Sequence, residues 1–155
     1  MLITGMSGAG KSSVVEELAR RGYRAVDLDH PDWSEWRADE AGEPDWVWRE
    51  DRVRDLLEGA GPGPLFVSGC MTHQGRFYPL LDRVVLLSAP LEVLLARVST
   101  RTGNPYGQRP EERAQIAGYV ATVEPLLRAG CHHEFDTSHL TLAELADALQ
   151  ALAGR

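Results

Sequence analysis

The chain has 155 residues, 43% of them hydrophobic and 25% charged, which suits one domain with a real core. Its net charge of −7 argues against a nucleic-acid-binding surface, which is usually basic, and no apolar run approaches membrane-spanning length. Met1 leads straight into strand-like sequence rather than a signal peptide, and two cysteines without metal-ligand spacing suit a reducing compartment, so a cytoplasmic location is expected.

Short apolar runs alternate with helical patterns, which predicts a parallel α/β sheet. Leu2-Ile3-Thr4 is a short first strand, followed by a glycine-rich turn. Lys11 to Arg21 then reads as a helix with Val14, Val15, Leu18 and Ala19 on one face, ended by Gly22. Tyr23 to Leu28 is the second strand. Ala38 to Pro44 is polar enough to be expected disordered, and Gly59 to Pro64 is a stiff loop. Pro64 to Ser68 and Arg83 to Ser88 supply the third and fourth strands. Leu91, Leu94, Leu95 and Val98 recur at helix spacing. The turn chemistry of Asn104-Pro105-Tyr106-Gly107 interrupts that helix. Pro110-Glu111-Glu112 opens another, with proline and acids in its first turn. Its buried face is Ile116, Val120, Val123 and Leu127, with a kink or an end near Pro125. Cys131 to Asp136 is a weak fifth strand, and Thr141 and Glu144 form a capping box for a last helix carrying Leu142, Leu145, Leu149 and Leu152. No internal repeat is visible.

The turn after the first strand reads Gly5-Met6-Ser7-Gly8-Ala9-Gly10-Lys11-Ser12. Lys11 is the only lysine, the other fifteen basic side chains being arginine, and it falls where G-x-x-x-x-G-K-[ST] calls for one. The glycines let successive N–H groups face one concavity that wraps a nucleotide's phosphates. A compact ammonium reaches the β/γ oxygens as a point charge, which a planar guanidinium does not reproduce. The serine hydroxyl is suited to Mg²⁺, and the helix that follows points its N-terminus at the anion. The expected nucleotide contacts are therefore Gly5, Met6, Ser7, Gly8, Ala9, Gly10, Lys11, Ser12 and Ser13, with Ser12 on the metal and ATP and Mg²⁺ as the cofactors. Guanine-specific switch proteins are excluded because their base-reading loop needs a second lysine. Helicases, transport ATPases and ring ATPases need a longer chain.

The stretch from Val84 to Arg97, with Pro90, Glu92, Arg97 and Arg101 in Pro-x-Glu-x-x-x-x-Arg-x-x-x-Arg spacing, resembles the fourth strand and lid-entry helix of nucleoside monophosphate kinases and their relatives. The Asp136-Thr137-Ser138 turn fits the same pattern. The resemblance implies a five-stranded parallel sheet with helices on both faces and a short lid. It implies one kinase domain over residues 1–155, with a substrate-side insertion at about 30–60 and the lid at about 101–109. It puts Arg97 and Thr137 on the nucleotide, and Arg101 on the transferring phosphates as a catalytic residue beside Lys11. Arg97 and Arg101 share one helix face at i, i+4, which equally suits two solvated arginines.

Asp27-Leu28-Asp29-His30-Pro31 closes the second strand, and alternate residues there can project into the crevice at the carboxyl ends of a parallel sheet. The pair resembles the Asp-x-Asp of shikimate kinase and the texture of gluconate kinase. By that resemblance Asp27 approaches Mg²⁺ and Asp29 is the catalytic, acceptor-binding carboxylate; ordinary loop carboxylates are the plainer reading. Ser68-Gly69-Cys70 departs from those relatives, because no acidic residue follows the third strand. Gly69 could let substrate approach the backbone, and Arg76 is the best cation for an anionic acceptor group, or a structural loop arginine. Trp33, Trp36, Trp46 and Trp48 either stack on a flat substrate or form a local core. The five histidines form no metal cluster. The reading is a kinase passing the γ-phosphoryl group of ATP to a small molecule, without nucleic-acid or membrane partners. The acceptor is left open among nucleoside monophosphates, sugar acids, shikimate-like alcohols and antibiotic hydroxyls, and the oligomeric state is open too. The alternative is a nucleotide-binding interaction module that has lost transfer chemistry.

Overall fold

The computed structural model describes residues 1–154. In chain order the elements are β1 (Leu2–Thr4), α1 (Lys11–Arg20), β2 (Arg24–Asp27), β3 (Ser34–Ala38), β4 (Pro44–Trp48), α2 (Glu50–Glu58), β5 (Leu65–Ser68), β6 (Val84–Ser88), α3 (Leu91–Thr100), α4 (Pro110–Thr122), α5 (Glu124–Gly130), β7 (His133–Asp136) and α6 (Leu142–Ala153), with 3₁₀ turns at Gln74–Leu80 and Thr137–His139. Five strands form one parallel sheet in the order β2-β5-β1-β6-β7. The five expected strands and the helices on both faces are therefore present.

Alternation along each strand divides the core in two. Ile3, Phe66, Val85 and Leu87 face α1, α3, α5 and α6, meeting Val14, Leu18, Leu94, Leu127, Leu145 and Leu149. Leu2, Leu65, Val67 and Val84 face the other way, onto Trp48, Val53, Met71 and Phe77. β1, flanked by β5 and β6, is fully buried. From β1 the chain goes out to β2 and β5 on one side and then crosses to β6 and β7 on the other, and such a switch point is where a parallel sheet opens a crevice.

Two regions differ from expectation, and a third, near Pro125, agrees with it. Ala38 to Pro44 is an ordered hairpin turn between β3 and β4, not a disordered stretch. Asp39 closes it, its Oδ1 accepting from Ala41 N at 2.8 Å and Glu43 N at 2.9 Å, as a short polar side chain does in a turn. Trp36 lies opposite Trp46 across the two strands with ring centroids 5.2 Å apart, a pairing that ties such a ribbon. α2, whose first turn is acidic and whose Val53 is buried, follows directly and was not anticipated. Near Pro125 the helix does break: α4 ends at Thr122 and Pro125 sits in the first turn of α5.

The segment between α3 and α4 is buried at one point only. Gly107 is buried, and a Cβ there would come within 2.6 Å of Val98. Its N–H donates to Glu112 Oε2 at 2.8 Å. Residues 102–105 are exposed.

Candidate nucleotide and acceptor site

The loop from Gly5 to Gly10 leaves the carboxyl end of β1 and turns directly into α1. Gly10 stands at φ 101° with no atom within 4 Å of where a Cβ would be, so the mouth of the loop is open. α1 begins with neither a side-chain cap nor an acidic residue in its first turn. Its first N–H groups and the positive end of its dipole are left for an anion. A cavity of about 1030 Å³ spreads from here, lined by Ser7 through Ser13, by Asp27 and Asp29, by Arg97, Arg101 and Thr137, and by residues 102–105. Gly5 and Met6 are not on its wall; both are buried. Their carbonyls instead accept from Lys11 Nζ, at 2.7 Å and 3.1 Å, so they hold the ammonium beneath the loop rather than meeting the cavity.

The start of α1 and the end of β2 are joined by one hydrogen bond. Ser12 Oγ donates to Asp27 Oδ2 at 2.7 Å, and Asp27 Oδ1 accepts from Asp29 N at 3.0 Å. A hydroxyl and a carboxylate at this spacing form an oxygen donor set of the kind that fits a hard dication such as Mg²⁺.

Asp29 has a different environment from Asp27. Trp46 Nε1 donates to its main-chain carbonyl at 3.1 Å and Trp48 Nε1 to its Oδ1 at 3.4 Å. Burial raises the carboxyl pKa from 3.8 to about 6, against the pull of Lys11 and with a push from Asp27, while the Trp48 and Cys70 N–H groups hold it back. The pair thus separates into a carboxylate engaged with Ser12 and a desolvated carboxyl near neutrality, the division of labour that acid–base sites use. Gly69 makes this fit possible. A Cβ on it would lie 2.9 Å from Trp48 Cζ2 and 3.0 Å from Asp29 Oδ1. The space expected to admit substrate to the Gly69 backbone is filled by the site's own indole and carboxylate.

Arg97 spans the nucleotide side. It donates to Gly8 O at 3.1 Å, to Thr137 Oγ1 at 2.8 Å and to Thr137 O at 2.9 Å, while Thr137 Oγ1 donates to Ala9 O at 3.0 Å. The two residues brace the loop, leaving the guanidinium face toward the cavity they line. Arg101 lines the same cavity and folds back on Asn104 O at 3.0 Å and Tyr106 O at 2.5 Å. Arg76 is not brought to the site: it is exposed and pairs with Glu50 at 3.2 Å. Sequence reasoning did not assign Trp46 and Trp48, which hold Asp29, or Gln74, which donates to Thr4 Oγ1 at 3.1 Å and accepts from Met71 N at 3.2 Å. The tryptophan cluster was visible; which members faced inward was not. At the end of β5, which no acidic residue follows, Ser68 Oγ is buried without a hydrogen-bond partner among the described residues.

A phosphate loop at the switch point of this sheet, with a carboxylate pair across the cavity, defines a small P-loop kinase. The chain belongs to the AAA domain family, which matches residues 1–118. Relatives spanning nearly the whole chain include kinases and a nucleotide-binding protein of Koribacter versatilis that is 32% identical over 94% of this chain and 46% of its own length. A shikimate kinase of Psychrobacter arcticus is 30% identical over 90% of this chain and 80% of its own length. Among solved structures, shikimate kinase from Acinetobacter baumannii in complex with shikimate superposes with a TM-score of 0.63 at 22% identity, covering 97% of this chain and 90% of that one. A gluconokinase from Sinorhizobium meliloti superposes with a TM-score of 0.55 at 22% identity, covering 99% and 92%. Likeness at that identity establishes the fold.

Proposed function

We propose that this chain transfers the γ-phosphoryl group of ATP to a hydroxyl of a small-molecule acceptor. The observation that carries this reading is the position of Asp29: its desolvated carboxyl lines the cavity that the phosphate loop opens, two residues from a carboxylate bonded to Ser12. In the proposed step the acceptor oxygen forms a bond to the γ-phosphorus and the bond from that phosphorus to the β–γ bridging oxygen breaks. ADP leaves with the electron pair, and the hydroxyl proton goes to Asp29. Lys11 and the loop N–H groups bind the phosphates, Arg101 neutralises charge on the transferring group, and Arg97 and Thr137 support the nucleotide. Ser12 and Asp27 are the residues that would hold Mg²⁺, which would supply further neutralisation of phosphate charge. The whole chain acts as one kinase domain, its insertion at about 30–60 serving the acceptor and residues 102–105 closing over ATP. A cytoplasmic setting suits ATP as the donor, and no described helix is long and apolar enough to cross a membrane.

The kinase relatives and the two-carboxylate arrangement support transfer over nucleotide binding alone. The test is ADP release from ATP and Mg²⁺ across a panel of alcohols, shikimate and gluconate included, with Asp29→Asn as the control. Acceptor-dependent release that Asp29→Asn abolishes is expected. Release that Asp29→Asn leaves intact overturns the role of Asp29, and a phosphorylated product formed without Lys11 overturns the site.

A further inference from the structure

The charge of this protein is unevenly placed. From Asp27 through Glu58, the stretch that runs from the site carboxylates through the hairpin and α2, there are twelve carboxylates against four arginines, leaving −8, although the whole chain carries only −7. The rest of the molecule is thus close to neutral. The cations that line the cavity, Lys11, Arg97 and Arg101, belong to the phosphate loop and α3, the side that meets ATP.

Among the described residues, no unpaired guanidinium is placed on the acceptor side. Five arginines lie between residues 30 and 80, and each is engaged. Arg49 and Arg37 both pair with Glu35 at 2.7 Å, Arg76 with Glu50 at 3.2 Å and Arg54 with Glu58 at 3.6 Å, and Arg52 donates to Asp32 O at 2.9 Å. Arg49 is the most enclosed of the ion-paired four; its Nη1 is held by Glu35, which it shares with Arg37, and among the described residues its buried Nε has no partner. Besides Lys11, what borders Asp29 is aromatic: Trp46 donates to the Asp29 carbonyl, and Trp36, 67% exposed, packs against Trp46 with its ring tilted 59°. An indole pair beside carboxylates receives the C–H face of a polyol or an ammonium group, and its negative surroundings repel a carboxylate or phosphate.

We infer that the acceptor is an alcohol bearing no carboxylate or phosphate group, packed on the Trp36–Trp46 pair with its reacting hydroxyl at Asp29. This rests on the phosphotransferase reading above and deepens it. It separates this chain's acceptor from acids such as shikimate and gluconate, named for its structural neighbours. Bond making and breaking are as described above, with the proton passing to Asp29.

A mixture of metabolites serves as the source of the acceptor. A deproteinised bacterial metabolite extract is divided at neutral pH on a strong anion exchanger, and each fraction is incubated with the full-length protein, Mg²⁺ and γ-labelled ATP. The unretained fraction, holding neutral and cationic metabolites, is expected to take up at least ~10-fold more label than the retained one, in line with the cost of bringing like charges together. Trp36→Ala is expected to lower that uptake while leaving ATP binding by calorimetry unchanged. Label taken up chiefly by retained metabolites overturns the inference and leaves the phosphotransferase reading standing. Equal uptake by both fractions, or full uptake by Trp36→Ala, overturns it as well. Label taken up by neither fraction removes the phosphotransferase reading and this inference with it.

Discussion

Replacing Asp29 with asparagine is expected to remove turnover and yet make the protein more stable at pH 8. The carboxyl sits where burial favours its neutral form, with a pKa raised from 3.8 to about 6. The folded state therefore binds this proton more tightly than the unfolded chain does. Stability falls as pH rises from 3.8, and the loss levels off above about 6. The two-unit separation corresponds to a penalty of about 3 kcal/mol at pH 8 and about 0.5 kcal/mol at pH 4. Asparagine never carries the charge and keeps an Oδ1 that can accept from Trp48 Nε1. Because Asp29 is only half-buried, solvent screening brings the gain at pH 8 to about 1–2 kcal/mol. Urea unfolding of both proteins at pH 8 and pH 4, without nucleotide, measures it. Equal or lower stability of Asp29→Asn at pH 8, or a difference that does not change with pH, would refute the claim that desolvation sets the state of this carboxyl. Turnover with a true acceptor should fall by roughly 10²–10⁴, the usual range for a lost general base.

Lys11→Ala should nearly abolish ATP binding by calorimetry while far-ultraviolet circular dichroism stays unchanged; unaltered affinity and turnover would remove the phosphate-site assignment. Asp27→Asn should raise the Mg²⁺ concentration needed for half-maximal rate, in contrast to Asp29→Asn, and a magnesium titration of both variants separates the two roles. Hydrogen exchange should be fast at residues 102–105 in the free protein and slower with ATP bound, while Gly107, tied to Glu112, stays protected in both states; equal protection of 102–105 with and without ATP sinks the lid. Gly69→Ala should lower kcat by ~10²-fold without changing ATP affinity, since its Cβ must displace Asp29 or Trp48 and an ångström of misplacement has that effect; unaltered kcat would mean the packing around Asp29 is loose.

The parallel sheet was legible because each core strand combined a short apolar run with a turn signal, and β6 in particular reads as an unbroken Val-Val-Leu-Leu. The hairpin was not. Its residues alternate only partly, and Ala38 to Pro44 is polar enough to resemble a disordered stretch. The order comes from Asp39 accepting two backbone N–H groups across the turn and from a tryptophan pair formed only once the register is set. α2 was missed although Val53, Leu56 and Leu57 recur at helix spacing and pack on the core; that apolar face is only three residues long and is set among charged side chains.

The site shows the same division between what is local and what depends on packing. The phosphate loop is contiguous, so its eight residues could be read directly, although Gly5 and Met6 serve Lys11 rather than the cavity. The Asp27–Asp29 pair could be read as two carboxylates on one strand end, but not as unlike ones. Their difference arises from partners far along the chain: Ser12 on one, Trp48 and the bare face of Gly69 on the other. Arg76 failed as an acceptor contact because sequence shows a free cation where the fold supplies Glu50. The same correction applies to Arg49 and Glu35. A charge counted along the sequence is available to a ligand only if the fold has not already paired it. That makes Glu35→Gln, which uncovers Arg49, the informative reversal. It should raise transfer to metabolites retained on an anion exchanger relative to the wild type. An unchanged preference in that variant would mean that the pairing of Arg49 does not set the charge of the acceptor.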